Sequence, residues 1–181
     1  MARIQPLDNS NAPESSRPLL DAVQAKMGMV PNLLGTLAHA PAALQSYLSL
    51  SEVLGGGLFD AKERELVALA VAEANACDYC LAAHTMIGGS VGLSEEARFA
   101  ARRGEGSDAK STALASLARE IVDSRGRPGE ESVASFRSAG WSDGHLVELI
   151  ALVTLNTLTN YTNHIAETEV DFPAAPALQN A

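Results

Sequence analysis

Apolar residues recur at helical spacing along most of this chain, and no segment alternates apolar and polar residues as a half-buried strand does. Hydrophobic residues make up 46% of the 181 residues and aromatic residues only 4%. Small, unbranched apolar side chains favour closely packed helices over strands. The sequence therefore predicts an all-α fold, a single-domain helical bundle of about seven or eight helices joined by short loops.

The stretch Ala61–Ile87 contains no glycine or proline, so it could form either one long helix or two shorter ones. Asp60, followed by Glu63, resembles a capping box at its start. Asn75 is a good N-cap residue, and a helix that begins there would place the cysteines downstream in its first turns. Two helices with a break near Asn75 are the preferred interpretation.

The helical domain is expected to span residues 17–168. Residues 1–16 are polar, contain proline and lack periodicity, which predicts an extended N-terminal arm that could contact a neighbouring subunit. Residues 169–181 predict an extended C-terminal tail. Numerous apolar stripes and two extended termini indicate a homo-oligomer.

The formal net charge of −9 argues against a nucleic-acid partner, since phosphate neutralisation needs clustered Lys and Arg. The chain has no apolar run of about 18 residues, which a membrane span needs, and no apolar signal-peptide region near its N-terminus. These features predict a cytoplasmic protein without a membrane partner. In a reducing compartment, two nearby cysteines indicate redox or metal chemistry more than a structural disulfide.

Both cysteines lie in the stretch 65–84, which reads ELVALAVAEANACDYCLAAH. Cys77 and Cys80 form a Cys-x-x-Cys pair, and His84 follows one helical turn later. Residues three or four apart share one face of a helix, so the two thiols should lie side by side. The sulfurs could form a reversible disulfide, and the imidazole could accept the proton of Cys80 to give a nucleophilic thiolate.

A carboxylate could complete this site as the third member of a proton relay. Glu65 is the preferred candidate, because it could hold or protonate the imidazole of His84 from the preceding helix. That contact would be tertiary, and spacing alone does not establish it. Glu63 and Glu73 are the alternatives.

Three other interpretations of the cysteines fit the sequence less well. Zinc could use Cys77, Cys80 and His84, but the sequence has no second Cys-x-x-Cys or His-x3-His to complete a structural site. Attachment of a c-type haem needs histidine where Leu81 stands. Free cysteines are often buried small hydrophobes, but His84 in register and Glu65 upstream favour chemistry. The sequence thus predicts no cofactor and no metal.

The pattern Glu65-x11-Cys77-x2-Cys80-x3-His84 resembles the active-site signature of the alkylhydroperoxidase D and carboxymuconolactone decarboxylase superfamily. The flanking segments GMVPNLLGTLAHAP and KERELVALAVAEANACDYCLAAHT are similar to its peroxidase-related branch. The resemblance runs over about residues 28–92 and more loosely to the C-terminus. It implies an all-α fold, a symmetric homo-oligomer and reduction of hydroperoxides through a cysteine pair.

The resemblance also implies a role for each residue of the motif. Cys80 would be the peroxidatic cysteine, which is oxidised to a sulfenic acid, and Cys77 would resolve it as a disulfide. His84 would be the base, and Glu65 would complete the proton relay. Some members carry a histidine just before the second cysteine, where this chain has Tyr79, so that contribution is missing or replaced.

The sequence therefore predicts a thiol-dependent peroxidase that acts on a small-molecule hydroperoxide and is recycled by an unknown dithiol or protein reductant. The alternatives are a non-catalytic redox-sensing helical oligomer and a carboxymuconolactone decarboxylase-like lyase, although the decarboxylase branch does not rely on this cysteine pair. Asn156, Asn160 and His164 form a polar stripe on the last helix. Hydrogen bonds between helices or a contact between subunits are favoured for this stripe over a position of His164 near the thiols.

Overall fold

The computed structural model describes residues 1–178, so the last three residues of the expected tail 169–181 lie outside the described part of the chain. Residues 1–178 form helices and no strand, which confirms the all-α prediction. Nine helices are present in that range, slightly more than expected. They are α1 (Arg17–Met27), α2 (Asn32–Leu37), α3 (Pro41–Gly55), α4 (Ala61–Ala74), α5 (Asp78–Ser90), α6 (Glu95–Arg102), α7 (Ala109–Asp123), α8 (Glu130–Ser138) and α9 (Asp143–Ala166).

Helix α4 begins with the expected capping box. The backbone N–H of Glu63 donates to the Asp60 carboxylate at 2.8 Å, and the backbone N–H of Asp60 donates to the Glu63 carboxylate at 2.9 Å. Two of the unpaired N–H groups at this helix end are thereby satisfied. Glu63 is therefore committed to the helix start.

The break between α4 and α5 lies close to the expected position, but the expected N-cap residue was wrong. Asn75 is the C-cap of α4, and Cys77 is the N-cap of α5. Between them, Ala76 adopts a left-handed conformation with φ 53°, which interrupts the helical path between α4 and α5. The Cys77 sulfur accepts the backbone N–H of Cys80 at 3.3 Å and so replaces the usual capping oxygen.

Helix α4 lies at the centre of the fold and packs against α5, α6, α7 and α9. Residues 66–72 of α4 are all buried, and small alanines among them allow the neighbouring helices to approach closely. One core cluster lies around Phe59, Phe136 and Trp141, and the last two rings stack with centroids 5.5 Å apart. A second core cluster contains both cysteines. The thiols are therefore part of the packed interior.

Both termini lie against the helical domain. The backbone N–H groups of Arg3 and Ile4 donate to the carbonyl of Ala166 at 2.7 and 3.1 Å, so the arm contacts its own chain at the end of α9. In the tail, the Asp171 carboxylate accepts the backbone N–H of Asn32 at 2.7 Å. The first turn of α2 is thereby tied to the chain end. In the described part of the chain, no helix is both long enough and apolar enough to cross a bilayer.

Replacing Gly35 by alanine is expected to destabilise the fold by about 1–3 kcal/mol, because an added methyl group overpacks the contact between α2 and the arm. A Cβ atom at Gly35 would lie 2.6 Å from the carbonyl oxygen of Leu7 and 2.9 Å from the Cβ of Pro6. Gly55→Ala is the matched control, since nothing lies within 4 Å of a Cβ there and alanine favours the helix. Urea denaturation measures both, and equal midpoints would contradict the tight contact.

Candidate active site

The structure brings Glu65 and His84 into direct contact. Helix α4 supplies Glu65 and α5 supplies His84, and Nδ1 of the ring lies 2.8 Å from the Glu65 carboxylate. The two alternative carboxylates are engaged elsewhere. Glu73 pairs with Arg102 at 2.7 Å, and Glu63 caps α4. Among the described residues, Glu65 is thus the carboxylate that hydrogen-bonds the His84 ring.

Cys77 and Cys80 are free thiols, with 1% and 2% of their surfaces exposed. Cys77 precedes the first turn of α5 and Cys80 lies within it, so the sulfurs face each other across a single turn. Thiols in this arrangement can form a disulfide without a large movement of the backbone, as Cys-x-x-Cys pairs do. Their burial means that a reagent reaches them only through an opening in the fold.

Cys80 is the more acidic thiol of the pair. A hydrogen bond from Cys77 is the largest cause that lowers the pKa of Cys80, and burial opposes it. The positive charge of His84 and a hydrogen bond from Asn163 lower this pKa further, to about 7. The pKa of Cys80 thus lies below that of an ordinary thiol, which favours the thiolate, and the thiolate is the nucleophilic form.

Cys77 behaves in the opposite way. Its hydrogen bond to Cys80 and its burial raise the pKa of the Cys77 thiol far above the ordinary range. Cys77 therefore keeps its proton and donates it toward the Cys80 sulfur. The two thiols therefore differ in acidity, and Cys80 is the one that ionises more readily.

His84 is held in a state that favours its proton. Burial lowers the pKa of the imidazole, but the charge and hydrogen bond of Glu65 outweigh it, and the Cys80 charge adds to them, so the pKa of His84 is raised. Among the described residues, the ring hydrogen-bonds Glu65 and does not hydrogen-bond Cys80. Its influence on the sulfur is therefore exerted through charge, and the expected direct transfer of the Cys80 proton to this ring needs a small movement or a bridging water.

A cavity of about 970 Å³ leads to this site. Cys80, His84, Glu65 and Tyr47 line it, while Cys77 does not. Apolar side chains from several helices and the tail form much of the remaining wall, among them Leu19, Val23, Met27, Leu33, Leu48, Leu152 and Phe172. A molecule in the cavity therefore meets the sulfur of Cys80 and the imidazole, but not the sulfur of Cys77.

Tyr47 adds a neutral donor to the cavity wall. Burial and the nearby negative charges of Cys80 and Glu65 raise the pKa of Tyr47 to about 12. Its hydroxyl therefore stays protonated at neutral pH and can donate a hydrogen bond or a proton. Tyr47 lies on α3, distant in sequence from the motif, so the sequence pattern gave no indication of its place at the site.

Asn163, which is buried on α9, is a second site residue that was not predicted from the sequence. Its side-chain amide donates to the Cys80 sulfur at 3.2 Å and lies 4.0 Å from the Cys77 sulfur. The stripe inferred from the sequence placed His164 in line with Asn156 and Asn160, but His164 is exposed. Spacing of four and then three residues follows the helix more closely, and it would have pointed to Asn163.

Tyr79 occupies the position where some relatives carry histidine, and it has a different role here. Its hydroxyl accepts the backbone N–H of Leu33 at 3.2 Å, and its ring meets Phe172 edge to face at 5.5 Å. Tyr79 therefore joins α5 to α2 and to the tail beside the cavity.

Within residues 1–178, no group of three or more His, Cys, Asp or Glu side chains is arranged to share a metal ion. The described residues therefore offer no ligand set for the zinc alternative.

Fold and site together define an all-α protein with a buried Cys-x-x-Cys pair beside a histidine–glutamate pair. Residues 41–123 match the carboxymuconolactone decarboxylase family. No curated protein sequence matches the chain. The matched segment contains the whole motif, in agreement with the alkylhydroperoxidase D and carboxymuconolactone decarboxylase superfamily that the motif predicted.

Solved structures share the fold over nearly the whole chain. The alkylhydroperoxidase core of a peroxidase-related protein from Ralstonia eutropha JMP134 is 22% identical, with a TM-score of 0.83 over 94% of this chain and 92% of that one. A peroxidase-related protein from Silicibacter sp. TM1040 is also 22% identical, with a TM-score of 0.77 over 92% and 91%. A debrominase in complex with 2,3,4-tribromopyrrole is 17% identical, with a TM-score of 0.79 over 93% and 91%.

Proposed function

We propose that this protein is a thiol-dependent peroxidase that reduces an organic hydroperoxide through Cys80 and Cys77. The observation that carries the proposal is the asymmetry of the two buried sulfurs. Cys80 lines the cavity and has a pKa of about 7, whereas Cys77 lies behind it and keeps its proton. The Cys80 sulfur is thus suited to attack the peroxide, and the Cys77 sulfur is suited to attack the oxidised Cys80 afterwards.

In the first step, the Cys80 thiolate attacks one oxygen of the hydroperoxide. A sulfur–oxygen bond forms, the oxygen–oxygen bond breaks, and Cys80 becomes a sulfenic acid. The departing alkoxide needs a proton, which the His84 imidazolium can supply. Glu65 supports this step, because its charge and hydrogen bond raise the pKa of the ring and so favour the imidazolium.

In the second step, the Cys77 sulfur attacks the sulfenic sulfur of Cys80. A disulfide forms, water leaves, and the two thiols have supplied the two electrons that reduced the peroxide. The thiol proton of Cys77 leaves with the water. A dithiol, small or protein-bound, must then reduce the disulfide to complete the cycle.

The cavity favours an organic substrate over hydrogen peroxide. Its wall is largely apolar and its volume of about 970 Å³ exceeds that of a peroxide alone. Burial of an alkyl or aryl group there contributes favourable free energy, about 25 cal/mol per Å² of apolar surface. Cytoplasmic location, a homo-oligomeric assembly and recycling by a dithiol or protein reductant stay predictions.

Reductive debromination is a second candidate, since Tyr47 places a proton donor on the same apolar wall as Cys80. The Cys80 thiolate would attack bromine, the carbon–bromine bond would break, and the released carbanion would take a proton from Tyr47. Cys77 would then displace bromide from Cys80 and form the disulfide. The debrominase that shares the fold binds a brominated pyrrole, which makes tribromopyrrole a suitable second probe.

The test counts free thiols before and after one equivalent of cumene hydroperoxide. We expect the two thiols of each chain to fall to none, with recovery after dithiothreitol and sustained consumption of peroxide when dithiothreitol is in excess. A parallel reaction with 2,3,4-tribromopyrrole measures released bromide. Disulfide formation without sustained turnover of either compound would instead indicate a redox sensor, and unchanged thiols would contradict both enzymatic proposals.

A further inference from the structure

The buried side chain of Asn163 touches both sulfurs of the site. Asn163 lies on α9, far in sequence from the cysteine motif, and only 5% of its surface is exposed. Its Nδ2 atom is 3.2 Å from the Cys80 sulfur and 4.0 Å from the Cys77 sulfur. We infer that Asn163 binds the thiolate of Cys80 and thereby selects which of the two sulfurs reacts.

The orientation of the amide supports a role in binding an anion. With Nδ2 directed at the sulfurs, the Asn163 Oδ1 atom is buried and has no hydrogen-bond partner among the described residues. A buried acceptor without a partner is unfavourable, so a strong interaction on the other side of the amide must offset it. A thiolate accepts charge-assisted hydrogen bonds, which are about twice as strong as neutral ones. The arrangement therefore matches an ionised Cys80 better than a protonated one.

A second asparagine holds α9 in place beside the site. Asn160 lies one turn before Asn163, is fully buried, and accepts a hydrogen bond from the Asn75 side chain at 2.8 Å. Asn75 is the C-cap of α4, two residues before Cys77. This bond therefore fixes the distance between α9 and the start of α5. With α9 held there, Nδ2 of Asn163 lies 3.2 Å from the Cys80 sulfur and 4.0 Å from the Cys77 sulfur, so it is 0.8 Å nearer to Cys80.

Charged and titratable groups face Cys80 from the other elements of the site. These groups are Cys77, Tyr79 and His84 around α5, Tyr47 on α3, and Glu65 on α4 through its contact with His84. Helix α9 contributes only uncharged amides, from Asn163 and Asn160. Among these groups, His84 is the one that brings a positive charge. The amides therefore supply donors that do not titrate, and their effect on the sulfur persists at any pH.

The test is the rate of Cys80 alkylation by iodoacetamide between pH 5 and pH 10, with the modified residue located by peptide mass spectrometry. The inference rests on the proposed function, because it concerns the nucleophile of that reaction, but alkylation needs no peroxide. In the unmodified protein we expect the rate to reach half of its maximum near the pKa of about 7. A missing turnover with a normal alkylation profile would therefore contradict the proposed function and leave this inference intact.

Two variants of Asn163 distinguish the effect of its hydrogen-bond donor on Cys80 from the effect of its side-chain shape. Asn163→Leu removes the donor, and we expect its half-maximal pH to rise by about one unit, which lowers the rate at pH 7 about fivefold. Asn163→Asp changes the shape less but places a carboxylate beside the sulfur, so its half-maximal pH should rise further. Both variants should approach the unmodified rate near pH 10, where the thiolate forms without help.

Thr162→Ala is the matched control, because Thr162 lies next to Asn163 on α9 but bonds to the Leu158 carbonyl of its own helix. Its half-maximal pH should equal that of the unmodified protein. A merely structural role for Asn163 predicts that leucine, which changes the shape more, disturbs the profile at least as much as aspartate. The inference would be overturned if the half-maximal pH rose at least as much in Asn163→Leu as in Asn163→Asp. Equal half-maximal pH in these two variants and in Thr162→Ala would also overturn it. If Asn163→Leu does not fold, Asn163→Ala takes its place, because alanine also removes the donor without adding a charge. An unchanged half-maximal pH in that variant would overturn the inference.

Discussion

Replacement of Cys80 by serine is expected to abolish peroxide turnover, with a loss of at least about a thousandfold, since removal of a catalytic nucleophile has effects of this size or larger. A serine hydroxyl is not ionised near neutral pH, and no base hydrogen-bonds this position among the described residues. The measurement is consumption of cumene hydroperoxide with excess dithiothreitol. Cys77 remains in this variant, but it does not line the cavity and keeps its proton, so it should not substitute.

Replacement of Cys77 by serine is expected to separate the two steps. Serine is a favoured N-cap residue, so the start of α5 should persist, and its hydroxyl can still donate to Cys80. The variant should consume one equivalent of peroxide and then stop, with a sulfenic acid on Cys80 that dimedone traps. Mass spectrometry detects the adduct. If both cysteine variants turned over peroxide at the rate of the unmodified protein, the cysteine mechanism would be wrong.

The helical architecture could be predicted from the sequence because its signals are local. The capping box at Asp60 and Glu63 lies within one turn, and the structure has it as expected. The N-cap of α5 could not be predicted in the same way. Asn75 has the stronger N-cap preference, but Ala76 is left-handed, and the Cys77 sulfur caps the helix. The chain path into the site thus depends on a backbone conformation that composition does not reveal.

Some features of the site depend on local helix geometry, and others depend on how the helices pack. The sequence spacing placed Cys77 and Cys80 on one turn, because that relation depends on helix geometry alone. The choice among Glu63, Glu65 and Glu73 depends on how α4 packs against α5, and no local pattern gives that orientation. Tyr47 on α3 and Asn163 on α9 are still farther from the motif in sequence, so their places at the site could not be predicted for the same reason.

Replacement of Glu65 by glutamine is expected to lower peroxide turnover at pH 7 by about a hundredfold, within the range of general acid–base catalysis. Glutamine keeps the size of the side chain but loses the charge, and that charge is what raises the pKa of His84 against the effect of burial. The imidazole should then be neutral at pH 7. It no longer supplies a proton to the departing alkoxide, and it no longer lowers the pKa of Cys80.

Alkylation and peroxide turnover should respond differently to pH in Glu65→Gln. Alkylation needs only the thiolate, so raising the pH above the increased pKa of Cys80 should restore its rate. Turnover also needs a proton donor, so it should stay low as the pH rises. Glu63→Gln is the matched control, because glutamine also fits a capping box and Glu63 does not contact His84. If both glutamine variants retained full turnover at pH 7, His84 would have no need of a charged partner, and the proton that the alkoxide takes would have to come from Tyr47 or from water.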